Sequence, residues 1–365
     1  MAASRFEHNM PEKPCFRTET EFVAWLRRRT SRRAPGLRLG IGDDAALVEV
    51  PPGRELILTT DMSIEGVHFT SRLHPPQSVG HRALARSLSD IAAMGGTPRY
   101  ALISLAASKH ASRAWIEGFF QGLLALAKRC GVAVIGGDTA VVRGASTIDV
   151  VVAGEVPRGK ALRRSGARPG DQVYVSGRLG LAALGLRLLH SPARGRRVGA
   201  HGRPVPIYRD APLPFVQPRA PGRSSTEAAA IRAQLFPQPQ CALGRFLSEQ
   251  GLATALIDVS DGLSIDLMRL CEASDVGACL FRDRVPSPPL TDAAASLELA
   301  LHGGEDYQLL FTVSPTKRSQ LPRRLGRIPL HCIGEIRASR GIQLITPDGK
   351  TRALEPRGYD HFARR

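Results

Sequence analysis

Aspartate recurs in this sequence where the chain is set to change direction. Asp43 and Asp44 follow Gly42, Asp61 follows Thr59 and Thr60, and Asp90 closes an apolar helix; Asp138 follows Gly136 and Gly137, and Asp258 and Asp261 bracket Val259 and Ser260. Each has a plain reading when taken alone: Asp261 or Ser260 as a helix N-cap, Asp138 as a turn residue beside glycine, Asp90 as the partner of Arg86 at i, i+4. Gathered in one place they pose an electrostatic problem, because close carboxylates repel and raise one another's pKa. Divalent cations between them remove it. Magnesium takes oxygen ligands, uses one or two carboxylates per ion and completes its shell with water and phosphate oxygens, so several magnesium ions around a polyphosphate are expected. Such a site suits phosphoryl transfer, where positioning and charge neutralisation supply most of the catalysis.

These side chains need elements to hold them. "AALVEV" and "ELILTT" read as strands, the second ending at Thr60 and Asp61 with a turn after it that carries His68. Val79, Ala83, Leu84, Leu88, Ile91 and Ala92 recur at helical spacing, which predicts a helix over about 78–94 stopped by Gly95-Gly96. "YALISLAAS" is strand-like, and "SRAWIEGFFQGLLALAKRCG" is an amphipathic helix capped by Ser112 and ended by Gly131. "VAVIGGD" and "IDVVVAGEV" follow as strands. A second unit starts at "ARPGDQVYVSG", continues through strand, turn and helix in "TALIDVSDGLSIDLMRL", and reaches "GGEDYQLLFTV". Two α/β domains joined near residue 156 are expected, 21–156 with most of the recurring aspartates and 157–365, after a flexible 1–20.

A chain of 365 residues with 43% hydrophobic and 23% charged residues is long enough for two cores and ordinary for a globular protein. No apolar run approaches the roughly 18 residues of a membrane span, and the N-terminus lacks the apolar centre of a signal peptide, so a cytoplasmic protein is expected. The six cysteines form no CxxC pair, which argues against a zinc site or disulfide framework. The net charge of +17 is inflated by the Arg/Pro/Gly-rich segment 191–223, which reads as a disordered insertion; nucleic-acid binding is the competing reading that the charge raises. Two near-motifs fail on chemistry. "GEVPRGKA" has Ala161 where a phosphate-binding loop needs a hydroxyl, and after "GIGDDA" the residues Pro51, Pro52 and Gly53 exclude the crossover helix of a dinucleotide-binding unit.

From about residue 20 to the C-terminus the sequence resembles the thiamine-monophosphate kinase family, of the aminoimidazole ribonucleotide synthetase superfamily. The resemblance rests on an ordered set: "GIGDDAAL", "TTDMSIEGVHF", "ALARSLSDIAAMGGTP", "IGGDT", "RSGARPGD", "IDVSDGLSIDL", "GGEDYQLLFT" and "GYDHF". It implies a two-domain α/β fold (α+β), dimeric through N-terminal sheets packed across the interface. It also implies ATP-dependent phosphorylation of thiamine monophosphate to thiamine diphosphate with magnesium. By motif position it assigns metal binding to Asp44, Thr59, Thr60, Asp61, Asp90, Asp138, Asp258 and Asp261, with ATP contacts at Gly137, Asp138, Arg164 and Ser260. His68 and Glu305 fall where the thiamine phosphate is bound. A phosphate monoester is already anionic near pH 7, so no general base is required, and direct transfer assisted by Arg164 and magnesium follows. The family members from which this chain departs often carry an aromatic where it has Pro356. A sister synthetase of the superfamily would share the aspartates but not "VHF" and "GYDHF".

Overall fold

The computed structural model describes residues 16, 18–30, 34–41, 45–190 and 225–359. Asp44, the 191–223 segment, most of 1–20 and the last residues of "GYDHF" lie outside the described residues. The first half runs α1 (Glu19–Arg29), β1 (Leu37–Leu39), β2 (Leu47–Val48), β3 (Arg54–Ile64), α2 (Pro76–Ala93), β4 (Thr97–Ser108), α3 (Arg113–Cys130), β5 (Ala133–Val142) and β6 (Thr147–Pro157). The second half runs β7 (Gln172–Ser176), α4 (Leu181–His190), α5 (Ser225–Leu235), α6 (Cys241–Glu249), β8 (Ala253–Val259), α7 (Leu263–Ser274), β9 (Gly277–Phe281), α8 (Ala293–His302), β10 (Gln308–Val313), β11 (Arg324–Leu325), β12 (Ile328–Arg337), β13 (Gly341–Ile345) and β14 (Thr351–Ala353).

The first half builds a four-stranded sheet in the order β3-β6-β4-β5, with β4 and β5 parallel and the other pairs antiparallel. One face carries Ile57, Ala101, Ile103, Leu105, Val150 and Val152, packed with Leu84, Leu88, Ile91 and Phe119 of α2 and α3. The α3 boundaries follow from local chemistry: Ser112 accepts a hydrogen bond from the Trp115 amide, and Gly131 takes the left-handed conformation (φ 68°) that closes helices. The second half builds a larger sheet whose path is β14-β13-β9-β12-β7-β10-β8, with β11 paired to β12.

The two sheets are joined through α2. Leu84, Leu88 and Ile91 face the first core, while α2 also packs on α6, β8 and β10 of the second half. It is therefore buried nearly all round, polar residues Arg82, Ser87 and Ser89 included. Residues on that polar side are held between the halves, where they reach groups from both.

Two strands run further than their polar residues suggest. β3 stays paired with β6 as far as Ile64↔Thr147, so Asp61 lies inside the strand and not at its end. β5 likewise continues through Asp138 to Val142. Pairing to a neighbour along the full length outweighs the turn preference of aspartate and glycine. Because side chains alternate along β3, Ile57, Thr59, Asp61 and Ser63 share the inner face, and Leu56, Leu58, Thr60 and Met62 the outer one. Among the described residues no helix is long and apolar enough to cross a membrane.

Candidate active site

A cavity of about 610 Å³ is walled by residues from both halves, Asp61, Asp90, Asp258 and Asp261 among them. Asp61 reaches it from the inner face of β3, Asp90 from the last turn of α2, and Asp258 from the end of β8. Thr59 donates a hydrogen bond to Asp90, and Asp61 and Asp90 share another. Ser89 Oγ donates to Asp258 at 2.6 Å. Burial, together with the charge of Asp90, pushes the Asp61 carboxyl up to about 6. Burial and the charge of Asp90 push Asp258 up to about 8. Asp90 is raised as well, by burial, although Thr59, Arg164 and Arg86 act against the rise. The cation nearest Asp61 is Arg86, at 3.5 Å, and the three carboxyl groups still rise.

The loop after β8 is held open by a carboxylate that sequence reading did not single out. Asp266 Oδ2 accepts the backbone amides of Ser260, Asp261 and Gly262 at 3.1, 3.0 and 3.1 Å. Arg269 bridges Asp261 and Asp266 at 2.6 and 2.7 Å. Burial and the neighbouring Asp261 raise Asp266 to about 6. Against this loop lies "GGEDY", tied by the Glu305 amide to Ser260 O at 2.7 Å and the Tyr307 amide to Val259 O at 2.9 Å. Glu305 and Tyr307 both have positive φ (70° and 48°), a backbone strain that gathers at functional sites. Asp306 serves the fold instead, because its carboxylate accepts the amides of Gly180 and Ala182 at the start of α4.

A second part of the cavity wall is organised by an ion pair. Arg82, on α2, pairs with Glu305 and also donates to the carbonyls of Gln234 and His68. Gln234 Nε2 donates to the other Glu305 oxygen at 3.0 Å. Burial alone would raise the Glu305 carboxyl; Arg82, Gln234 and Arg86 outweigh it and hold it below the ordinary glutamate value. His68 lines the same cavity, and its Nδ1 accepts the Ile64 amide at 3.0 Å, so a neutral ring carries its proton on Nε2. Tyr359, of the "GYDHF" motif, puts an aromatic ring in the wall.

The predicted residues therefore divide. Thr59, Asp61, Asp90, Asp258, Ser260, Asp261, His68 and Glu305 gather at or directly behind the cavity. Arg164 is not in its wall, but its charge is felt by Asp90. Thr60 and Asp138 are elsewhere. Thr60 Oγ1 donates to Asp149 at 2.7 Å on the outer face of the sheet. Asp138 is in register with Ser104, Asp149 and Met62 across four strands, which puts it roughly 14 Å from β3. Its carboxylate accepts the Thr139 amide at 2.8 Å. Gly137, at φ 147°, has a structural reason to be glycine, since a Cβ there would sit 1.9 Å from Ile103 O.

Asp61, Asp90 and Asp258 offer hard oxygen donors in a charge-starved cavity, which fits magnesium. Among the described residues no three or more His, Cys, Asp or Glu side chains form a ready-made metal cage. A site of this kind draws the remaining ligands from phosphate and water. The arginines 82, 86 and 269, with Gln234 and Asp266, were not legible as site residues; only the i, i+4 spacing of Arg86 to Asp90 put one of them beside an aspartate of the site, and its ion pair is with Asp61.

A family model described as AIR synthase related protein, N-terminal domain, matches residues 42–156. Thiamine-monophosphate kinase of Escherichia coli (strain K12) is 36% identical over 336 residues, 90% of this chain and 93% of that one. The crystal structure of thiamine-monophosphate kinase from Stenotrophomonas maltophilia K279a is 34% identical with a TM-score of 0.72, covering 90% of this chain and 96% of that one. A structure described as AaThiL complexed with AMPPCP and TMP is 29% identical with a TM-score of 0.68, covering 94% and 97% of the two chains.

Proposed function

The chain belongs to the thiamine-monophosphate kinase family, and we propose from that premise how its cavity transfers phosphate. The protein is an ATP-dependent kinase that phosphorylates thiamine monophosphate to thiamine diphosphate, the last step in making that cofactor. The transfer is direct and in line. An oxygen of the acceptor phosphate attacks the γ-phosphorus, the bond to the β–γ bridging oxygen breaks, and ADP leaves. The acceptor oxygen is anionic near neutral pH, so no side chain has to remove a proton. The observation that carries this reading is the trio Asp61, Asp90 and Asp258, raised together in one cavity wall with too little positive charge around them.

Those three carboxylates would hold magnesium, with Thr59 and Ser89 fixing their orientation and Asp44 and Asp261 as further ligands by motif position. Bound magnesium supplies charge neutralisation at the phosphates and orients the transferring group. Arg164 and Arg86 add fixed positive charge beside Asp90 and Asp61, Ser260 belongs to the ATP side, and His68 and Glu305 position the acceptor; Gly137 and Asp138, which the family resemblance also gives to ATP, lie outside this cavity wall. In this reading 21–156 supplies most of the ATP and magnesium site and His68 of the acceptor site, and 157–365 completes both with Asp258, Asp261, Ser260 and Glu305. Kinetics with ATP made chiral at the γ-phosphate test the mechanism: a single displacement inverts configuration at phosphorus, and retention would overturn it in favour of a covalent enzyme intermediate.

The working form is a homodimer. Leu56, Leu58 and Met62 of β3 and Leu102 of β4 are exposed on the outer face of the sheet, and Leu58 is 64% exposed. A row of this kind marks an interaction surface, and a second copy of the chain is the partner that the family supplies. Sedimentation velocity should give a dimer that Leu58→Asp converts to monomer. A monomeric native protein at micromolar concentration would remove the proposal.

A further inference from the structure

Away from the aspartates, the cavity wall contains polar atoms that the protein itself does not satisfy. His74 Nε2, Thr70 Oγ1 and Gln234 Oε1 are shielded and meet no hydrogen-bond partner among the described residues. All three residues line the cavity. His74 is 3% exposed and Gln234 1%. A buried polar atom left unpaired is destabilising, so three such atoms on residues of one cavity wall point to a ligand that pairs with them.

Their polarity can be assigned. Gln234 Nε2 donates to Glu305, and a carboxylate can only accept, so the amide cannot be turned round and Oε1 is an acceptor. His74 Nδ1 accepts the Thr70 amide at 3.2 Å. The Thr70 carbonyl is equally near Nδ1 but already takes the amides of Leu73 and His74, whereas the Thr70 amide can only donate. The proton of the ring is therefore on Nε2, which makes that atom a donor. Burial and the charge of Arg82 keep this ring neutral. Thr70 Oγ1 serves either way. This part of the cavity wall thus presents an acceptor, a donor and an adaptable hydroxyl, flanked by the apolar side chains of Phe69, Leu73 and Leu186.

We infer that Gln234, His74 and Thr70 recognise the aminopyrimidine ring of the acceptor, with Gln234 Oε1 accepting from its exocyclic amino group and His74 Nε2 donating to the adjacent ring nitrogen. The inference rests on the kinase reading above and deepens it, making these residues determinants of specificity separate from the phosphate-handling aspartates. A site built to pair with both edges of a ring rejects an analogue whose edge is reversed far more strongly than an apolar slot does.

Oxythiamine monophosphate is such an analogue: an oxo group replaces the amino group, and the neighbouring ring nitrogen carries a hydrogen. It would set acceptor against acceptor at Gln234 and donor against donor at His74. Wild-type protein should prefer thiamine monophosphate over it by about 100-fold or more in kcat/KM. In Gln234→Leu that preference should collapse to within about 5-fold, mainly through loss of the natural acceptor, because its amino group has lost its partner. Thr70→Val, a smaller change, should reduce the preference only several-fold and covers the case in which Gln234→Leu does not fold. If Gln234→Leu slows both acceptors equally, Gln234 acts only by supporting Glu305 and the inference is overturned. If the wild type turns over both acceptors alike, the inference also fails while the kinase reading stands. Turnover of neither acceptor would remove that reading and the inference with it.

Discussion

Two parts of the cavity wall, an aspartate end and a paired end, treat buried carboxylates in opposite ways. At one end Asp61, Asp90 and Asp258 are all raised, Asp258 to about 8, because burial is offset only by hydroxyls and by arginines that reach too little of the charge. At the other end Glu305 is lowered, because Arg82 and Gln234 bind both of its oxygens. Burial alone does not decide whether a carboxylate is a scaffold or a site; the presence of a built-in cation does. At the paired end the charge of Glu305 is balanced as folded, whereas the aspartate end lacks a countercharge, which in the proposed reading a cation supplies.

The hardest test of this contrast is to remove one group from each end. Asp90→Asn should fold normally yet lose on the order of 1000-fold or more in kcat, since it deletes charge that the transition state needs throughout, a matter of several kcal/mol. Circular dichroism and steady-state rates together check it, and near-normal turnover would end the magnesium reading of that cluster. Arg82→Met should fail differently. It leaves Glu305 without its cation and should cost about 3 kcal/mol, the lower part of the range for a broken buried pair, because the Glu305 side chain is 26% exposed. Thermal melts should fall by roughly 6–10 °C, and Arg82→Met combined with Glu305→Gln should recover much of that. A double variant no more stable than the single one would show that Arg82 matters for its carbonyl contacts and not for its charge.

A smaller effect follows from protons. Asp258 titrates near 8 in the folded chain against 3.8 ordinarily, so the folded state binds the proton more tightly. Its contribution is therefore intact below pH 3.8 and is lost progressively as the pH rises toward 8. In EDTA the melting temperature should decline between these limits, Asp258→Asn should flatten the decline, and magnesium should reverse it at the alkaline end. At the paired end Glu305 has the opposite sign: its carboxyl is lowered, so its contribution fades on acidification. A wild-type profile in EDTA that stays flat up to pH 8 would contradict the unpaired state of the aspartate end.

How far the sequence discloses these two ends depends on chain separation. The aspartate end was legible, because Asp61, Asp90, Asp258 and Asp261 each sit in a short run whose glycines, hydroxyls and apolar neighbours mark it. Helix α3 was legible down to its Ser112 and Gly131 caps, since capping is decided within one turn. The paired end was mostly hidden. Arg82 and Glu305 are 223 positions apart and Gln234 is 71 from Glu305, so no local pattern relates them. What was misjudged locally was strand length: pairing with β6 carries β3 past Asp61, and this decides which of two adjacent threonines faces the cavity.

That last point yields the finest test. Thr59 and Thr60 are neighbours in sequence, and the family resemblance gives both to the metal, but the pleat of β3 sends them to opposite faces. Thr59 donates to Asp90; Thr60 donates to Asp149, on the face where Leu58 and Met62 are exposed. Losing the Thr59 hydroxyl removes one hydrogen bond to a charged group, worth about 1.5–3 kcal/mol in a well-formed pair but less where water or magnesium can replace it, so Thr59→Val should lower kcat by roughly 10-fold. Thr60→Val keeps the volume, leaves the cavity untouched and should change kcat by no more than about 3-fold, the scale of one exposed hydrogen bond. Both variants should be compared at a protein concentration where sedimentation shows the same assembly, because the outer face is also the proposed contact with a second copy. An equal loss in the two variants, with assembly unchanged, would mean that phosphate chemistry extends onto the outer face. The aspartate end would then have to be completed by Thr60 and Asp138 across the contact with that second copy, and not within one chain.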